Sequence, residues 1–292
     1  MTAMDFELSR NITVGQYIPT GSWVHRLDPR IKLIVFIGLF AALSLVFTAV
    51  PTGLALALIF AIAIAGRIPA GYVLSGLKPA LPVLVLLVIL QILFRGQSTP
   101  GTVVYFQWWI VNINDVALMA IAVGTARIVA FIFLTSLLTM VMTTTELTHA
   151  IESVFGPLQR VGVPVRELAL TATIALRFVP TLAEELERVM KAQASRLGEI
   201  GLRSDWRPDR AARTRLPLIV PLFLTALRRG EDLVLAMEAR GYVGGARRNR
   251  YVQYHAGPRD WLVLVVGLAF CAALLFVPWP TVPALWAQWV AP

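Results

Sequence analysis

A single cysteine, Cys271, lies in an apolar run, which excludes an intramolecular disulfide and a cysteine-rich metal site. Histidine is almost as scarce. His25, His149 and His255 are far apart and each stands in a polar segment, so they are read as solvated or capping residues, and no metal site is expected. No GxxxxGK[ST], GxGxxG, HExxH or GxSxG pattern occurs, so no catalytic residue, bound nucleotide or other cofactor is expected within the chain. Charge is sparse: 15% of the residues are charged and 57% hydrophobic, with a mean hydropathy of +0.71. These values lie outside the range of ordinary soluble domains, and the expectation is an all-α integral membrane protein. Acidic residues are the scarcer sign, 17 against 26 basic, for a formal charge of +9. A nucleic acid partner would need an RNA-binding signature, which is missing, whereas membrane proteins collect Lys and Arg on cytoplasmic segments. The first 21 residues hold no apolar core of signal-peptide type, and no cleavage is expected.

What is present is a series of apolar runs. In HRLDPR, residues 25–30, Asp28 is placed to cap a helix that Pro29 opens. The basic cluster His25, Arg26, Arg30 and Lys32 then abuts the first run and places the N-terminus in the cytoplasm. Ile31–Val50 is long enough to span, with Lys32 positioned to snorkel. Thr52–Gly66 is shorter; Gly53, Ala57, Ala61 and Ala65 recur at four-residue steps, either as a smooth packing face or because alanine is abundant. Pro79–Phe94 is a third span. Tyr105, Trp108 and Trp109 form an aromatic belt on the outer side, as do Trp286 and Trp289 near the C-terminus. Val116–Met142 is the fourth span, with Arg127 near its middle. An intramembrane arginine must find an acceptor; a structural tie to carbonyls or hydroxyls is the preferred reading, a substrate or proton pathway the alternative. Trp261–Trp279 is the fifth. The division is therefore a cytoplasmic segment 1–30, four spans over 31–142, a cytoplasmic helical region over 143–259, and a last span with an outer-face tail over 260–292.

The inserted region carries 18 of the 26 basic residues. Thr143 with Glu146 reads as a cap for a helix that Gly156-Pro157 ends. Two apolar patches, Leu168–Val179 and Leu216–Leu227, read as helices at the membrane face, separated by a basic loop, Arg203–Arg215. Two amphipathic arms follow the patches. In the first, Leu182, Leu186, Val189, Met190, Gln193 and Leu197 repeat at helical steps, with Glu184/Arg188 and Glu187/Lys191 four apart. In the second, Phe223, Ala226, Leu227, Gly230, Leu233, Val234 and Met237 do the same. Pro180, and Pro217 with Pro221, are expected to start or bend the arms. Each arm is expected to be a rod roughly 27 Å long, and each closes on an arginine: Ser195-Arg196-Leu197 and Ala239-Arg240-Gly241. Either arginine alone suits a helix C-terminus; the matched pair suggests a docking device, since a guanidinium offers a rigid fork of donors.

In order, HRLDPRIKL, an arginine within a span, TTTELTHAIESVFGPLQRVGVP, ALRFVP, KAQASR and AMEARGY resemble the transmembrane T component of energy-coupling factor (ECF) vitamin and metal importers. The resemblance implies a non-catalytic subunit of a prokaryotic plasma-membrane importer, multi-pass, with ATP bound and hydrolysed in partner subunits. It implies that Ser195, Arg196, Leu197, Ala239, Arg240 and Gly241 dock onto two ABC-type ATPases, Leu197 departing from the usual small residue. It further implies a small membrane-embedded S component resting on apolar faces around Leu168, Leu182, Leu186, Phe223, Leu227 and Leu233. A self-contained secondary transporter or channel is the rival reading; it needs polar groups converging mid-membrane, and Arg127 alone qualifies. A membrane enzyme would need clustered His or Asp, and none is visible.

Overall fold

The computed structural model describes residues 20–69, 71–72, 76–94, 104–108, 111–197, 208–242 and 256–279. Its elements in chain order are α1 (Pro29–Leu45), α2 (Ala49–Ala65), α3 (Leu81–Phe94), strands β1 (Val104–Trp108) and β2 (Val111–Asn114), α4 (Asp115–Val141), α5 (Thr144–Val154), a 3-10 turn (Gly156–Val161), α6 (Val165–Leu197), α7 (Pro208–Ala239) and α8 (Pro258–Phe276). The chain forms two compact bodies, residues 16–150 with 254–292, and residues 1–15 with 151–253.

The first body holds the apolar runs. The stretch Leu118–Val141 of α4 and the whole of α8 are long and apolar enough to cross a membrane, while α2 and Leu81–Leu93 of α3 are shorter apolar helices. A fully buried core joins α1, α2, α4 and α8 around Leu39, Leu43, Ile59, Leu134 and Leu137. Helices α1 and α8 approach so closely that a Cβ on Gly267 would lie 2.9 Å from both methyls of Val35, and one on Gly38 would lie 3.4 Å from Cys271 Sγ. Small residues permit that approach, as is usual between helices in lipid. Apolar side chains also cover the outside: Phe276 is 84% exposed and Ile64 76%, a surface suited to lipid rather than water.

The body is helical as expected, apart from one short hairpin in which β1 and β2 pair antiparallel, with Trp108 opposite Val111 and an irregularity between Val104 and Phe106. The segment is rich in β-branched and aromatic residues, which fit a pleated pair. Trp109, Trp286 and Trp289 lie outside the described residues. In α2 the buried face is Pro51, Thr52, Ala55, Ile59 and Ala63, whereas Gly53, Ala57 and Ala61 point outward, so within this chain the stripe of small residues is not the packing face. On the buried face Ala55 and Ala63 allow close approach while Ile59 fills the space between, and the larger Leu54, Phe60 and Ile64 face outward.

Four helix ends meet at one end of this body. Asp28 caps α1, its side chain accepting from Arg30 N at 2.9 Å, and Asp28 N donates to Asp260 Oδ1 at 3.3 Å in the first turn of α8. Thr20 Oγ1 donates to Gly66 O, 2.7 Å away at the end of α2. The Thr143–Glu146 capping box forms as its sequence suggests, with Glu146 N donating to Thr143 Oγ1 and Thr143 N to Glu146 Oε2. The same carboxylate oxygen lies 3.9 Å from Lys32 Nζ. Lys32 therefore does not snorkel. It is 3% exposed, and its ammonium donates to His25 O at 2.7 Å, so a backbone carbonyl and the nearby Glu146 carboxylate serve it inside the protein. His25 is likewise buried rather than solvated, within hydrogen-bonding distance of Ser22 Oγ (2.7 Å) and Thr20 Oγ1 (3.2 Å).

Arg127 lies at the other end of α1. Its Nη1 donates to Val46 O at 3.2 Å, the carbonyl of the residue that ends α1, and its guanidinium stands 4.5 Å over the ring of Phe47. Although central in α4, it is level with the α1–α2 turn, because α4 has 27 residues against 17 in α1 and overreaches its neighbours.

In the second body, α6 and α7 are longer and less interrupted than the sequence suggests. Pro180 lies inside α6, which runs unbroken for 33 residues, and Pro217 and Pro221 lie inside the 32-residue α7. The patch Leu168–Val179 and the first arm are one helix, as are Leu216–Leu227 and the second. Residues 208–215, part of the expected basic loop, are also helical. Each rod is thus about 50 Å long at 1.5 Å per residue, nearly twice the expected length. Proline removes one hydrogen bond without ending a helix whose packing face continues on both sides: Ala169 and Ala183, either side of Pro180, are both buried.

Candidate functional site: two arginine-tipped helices

Helices α6 and α7 pack together and are tied by charge. Arg188 Nη1 lies 3.2 Å from Glu185 Oε2 and Lys191 Nζ 2.6 Å from Glu187 Oε1 along α6. Arg229 of α7 lies 3.8 Å from the same Glu185 oxygen. Arg188 therefore pairs with Glu185 rather than with Glu184, its expected partner four residues back. Glu185, shared between two arginines, is the cross-helix tie. Helical spacing could place Arg188 beside either glutamate, but the Arg229 contact needs the tertiary pairing of the two rods.

At the tip of α7 the backbone explains why a glycine follows the arginine. Tyr242 N donates to Met237 O and Gly241 N to Glu238 O, both at 2.9 Å, and Gly241 adopts φ +74°. This is a Schellman ending, whose penultimate position requires the left-handed conformation that glycine reaches without a Cβ penalty. Arg240 is thereby the last residue before the chain turns, and its side chain is exposed, as is Ala239. At the tip of α6, Ser195 is exposed and its hydroxyl donates to Lys191 O at 3.0 Å. Arg196 and Leu197 belong to the last turn of α6; their side chains lie outside the described residues.

The apolar candidates divide into two groups. Leu168 (59%), Phe223 (64%) and Leu227 (50%) are exposed, while Leu182, Leu186 and Leu233 are half-buried. Leu168 lies on α6, whereas Phe223 and Leu227 belong to a longer stripe on α7 that also includes Leu216, Val220, Leu224 and Val234. Those residues recur at three- and four-residue steps or their sum, so the stripe runs along one side of the rod. An apolar face of that length on a helix with a charged remainder marks a surface for lipid or protein. The periodicity of Leu216–Leu227 was the signal for it, visible in the sequence but attributable to one face only once α7 was continuous.

The class these features define is a polytopic membrane protein that carries a pair of long amphipathic helices with exposed arginine and apolar surfaces. The comparisons narrow it. Residues 20–252 match a family described as "Cobalt transport protein". The chain is 38% identical over 262 residues to an energy-coupling factor transporter transmembrane protein EcfT of Brevibacillus brevis, covering 89% of this chain and 95% of the relative. It is 35% identical over 269 residues to the protein of that name from Acidaminococcus fermentans (92% and 97% covered). Against that from Lacticaseibacillus paracasei it is 38% identical over 272 residues (91% and 98%). The chain belongs to this family of EcfT-type transmembrane components of ECF transporters.

Proposed function

We propose that this chain is the energy-coupling subunit of an ATP-driven importer: two ABC-type ATPases grip Arg196 and Arg240, and a membrane-embedded S component rests on the apolar stripes of α6 and α7. ATP is bound and hydrolysed in the partners. Their approach and separation displace the two tips, and the rods pass the displacement to the S component, whose substrate site reorients. The observation that carries this reading is the Schellman ending of α7, which stops the helix so that Arg240 projects free at its tip. The continuous helices α6 and α7 supply the rods, packed side by side with Arg229 beside Glu185, and the exposed apolar stripe offers contact without directional bonds.

The chain is further proposed to cross the plasma membrane five times, through α1, α2, α3, α4 and α8, with its N-terminus and residues 143–259 in the cytoplasm. The convergence of the start of α1, the ends of α2 and α4 and the start of α8 supports that parity, since alternate crossings bring those ends to one side. The self-contained transporter loses its main support, because Arg127 is engaged by Val46 O and Phe47.

The test is co-purification and uptake with Arg196→Ala, Arg240→Ala and the double variant. Each single variant should insert normally, retain less ATPase and lower uptake at least tenfold. Full assembly and uptake by the double variant would refute the proposal.

A further inference from the structure

A cleft of about 550 Å³ opens in the first body, lined by Trp23, Arg26, Ala65, Arg67, Arg259 and Asp260 among others. Three separate segments build it: the turn before α1, the end of α2 and the start of α8. Three arginines converge there with exposed side chains, and among the described residues none of them has an ion-pair partner. Asp260, the acidic residue of the cleft, offsets one of the three charges and leaves the lining with an excess of positive charge. Asp260 Oδ2 accepts from Gly257 N at 2.8 Å and Oδ1 from Asp28 N at 3.3 Å, so both oxygens serve backbone donors. The remaining excess of positive charge around one concavity favours an anion there.

The backbone at Arg67 points the same way. Ile68 N donates to Ala63 O and Arg67 N to Ile64 O, a Schellman ending in which Arg67 stands where glycine is favoured, at φ +52°. A non-glycine residue in that conformation is strained, and a residue kept at a strained position suggests that its side chain has a task. Gly66, one position earlier, does not relieve it. At the same cleft Trp23 is 56% exposed, as suits an aromatic ring at the level of lipid headgroups.

We propose that this cleft binds the phosphate of an anionic phospholipid headgroup, with the guanidinium groups of Arg26, Arg67 and Arg259 as donors and Trp23 packing against the glycerol region. Guanidinium forks match phosphate oxygens, and the cleft lies at the end of the body where four helix termini are joined, so an occupying headgroup would tie α1, α2 and α8 together. Lipid and free phosphate share this chemistry; the choice of lipid rests on the apolar surface of α2 and α8 beside the cleft, notably Ile64 and Trp261.

The test is native mass spectrometry of the full-length chain in detergent, titrated with phosphatidylglycerol or phosphatidylcholine. The wild type should retain phosphatidylglycerol at least fivefold better. Arg67→Gly, which relieves the backbone strain while deleting the charge, should keep or raise the melting temperature yet reduce that preference severalfold, and adding Arg259→Gln should abolish it. Equal retention of the two lipids by the wild type, or an undiminished preference in the double variant, would overturn the proposal. Equal retention of the two lipids together with a rise in melting temperature in inorganic phosphate, at constant ionic strength set by chloride, that the double variant lacks would assign the cleft to free phosphate and overturn the lipid source.

Discussion

The two bodies of this chain treat apolar side chains in opposite ways. In the first, Leu134, Leu137 and Ala42 are fully buried and α1 meets α8 at glycine contact. In the second, two helices of more than thirty residues bury fully little more than Val165, Ala169 and Ala183, while Phe223, Leu227 and Val234 stay exposed. The first spends its apolar surface on itself. The second leaves much of that surface exposed among its described residues, and its long rods pack along one another with a thin buried seam and Arg229 beside Glu185. The proposed coupling role, a packed body beside a contact surface, fits these opposite treatments.

The contrast can be broken or sharpened by substitution. The largest effect on stability is expected from Glu146→Ala, which removes the counter-charge of buried Lys32 and half of a capping box; a cost of about 3 kcal/mol is expected, read as a fall in melting temperature in detergent. Replacing Lys32 by Met in that background should restore part of it. Leu137→Ala should cost about 2 kcal/mol: in lipid the transfer term is small, and the loss of packing dominates. A cost near zero would mean that the first body is no better packed than the second. Gly241→Ala forces a side chain into the left-handed conformation and should cost about 1 kcal/mol. Its sharper readout is a shifted Arg240 tip, seen as weaker recovery of ATPase partners at unchanged expression. The smallest effect on the chain itself is expected from Leu227→Ser, within about 0.5 kcal/mol as for an exposed site, yet it should reduce recovery of the membrane partner. A large loss of stability there would show the α7 stripe to be part of a core.

The caps and helix ends were legible locally. Asp28-Pro29, Thr143 with Glu146 and the glycine after Arg240 each act through atoms within a few residues, so short sequence carries the whole cause. The fate of the polar residues at the membrane end was not. Lys32 and His25 look like solvated groups until the ends of four helices surround them, and Arg127 looks central until α1 proves shorter than α4.

The sequence by itself determined the membrane class, the apolar runs, the arginine motifs and the family, because composition, periodicity and motif order do not depend on what packs against what. Only the tertiary structure decided which face of α2 is inside, that α6 and α7 continue through their prolines, that Glu185 joins them, and that Arg26, Arg67 and Arg259 share one cleft. Those outcomes depend on the competition of whole faces for neighbours, in which the Ala55, Ile59 and Ala63 face of α2 is buried and the equally regular Gly53, Ala57 and Ala61 stripe is not. They also depend on contacts between residues as far apart as Asp28 and Asp260, which no local pattern encodes.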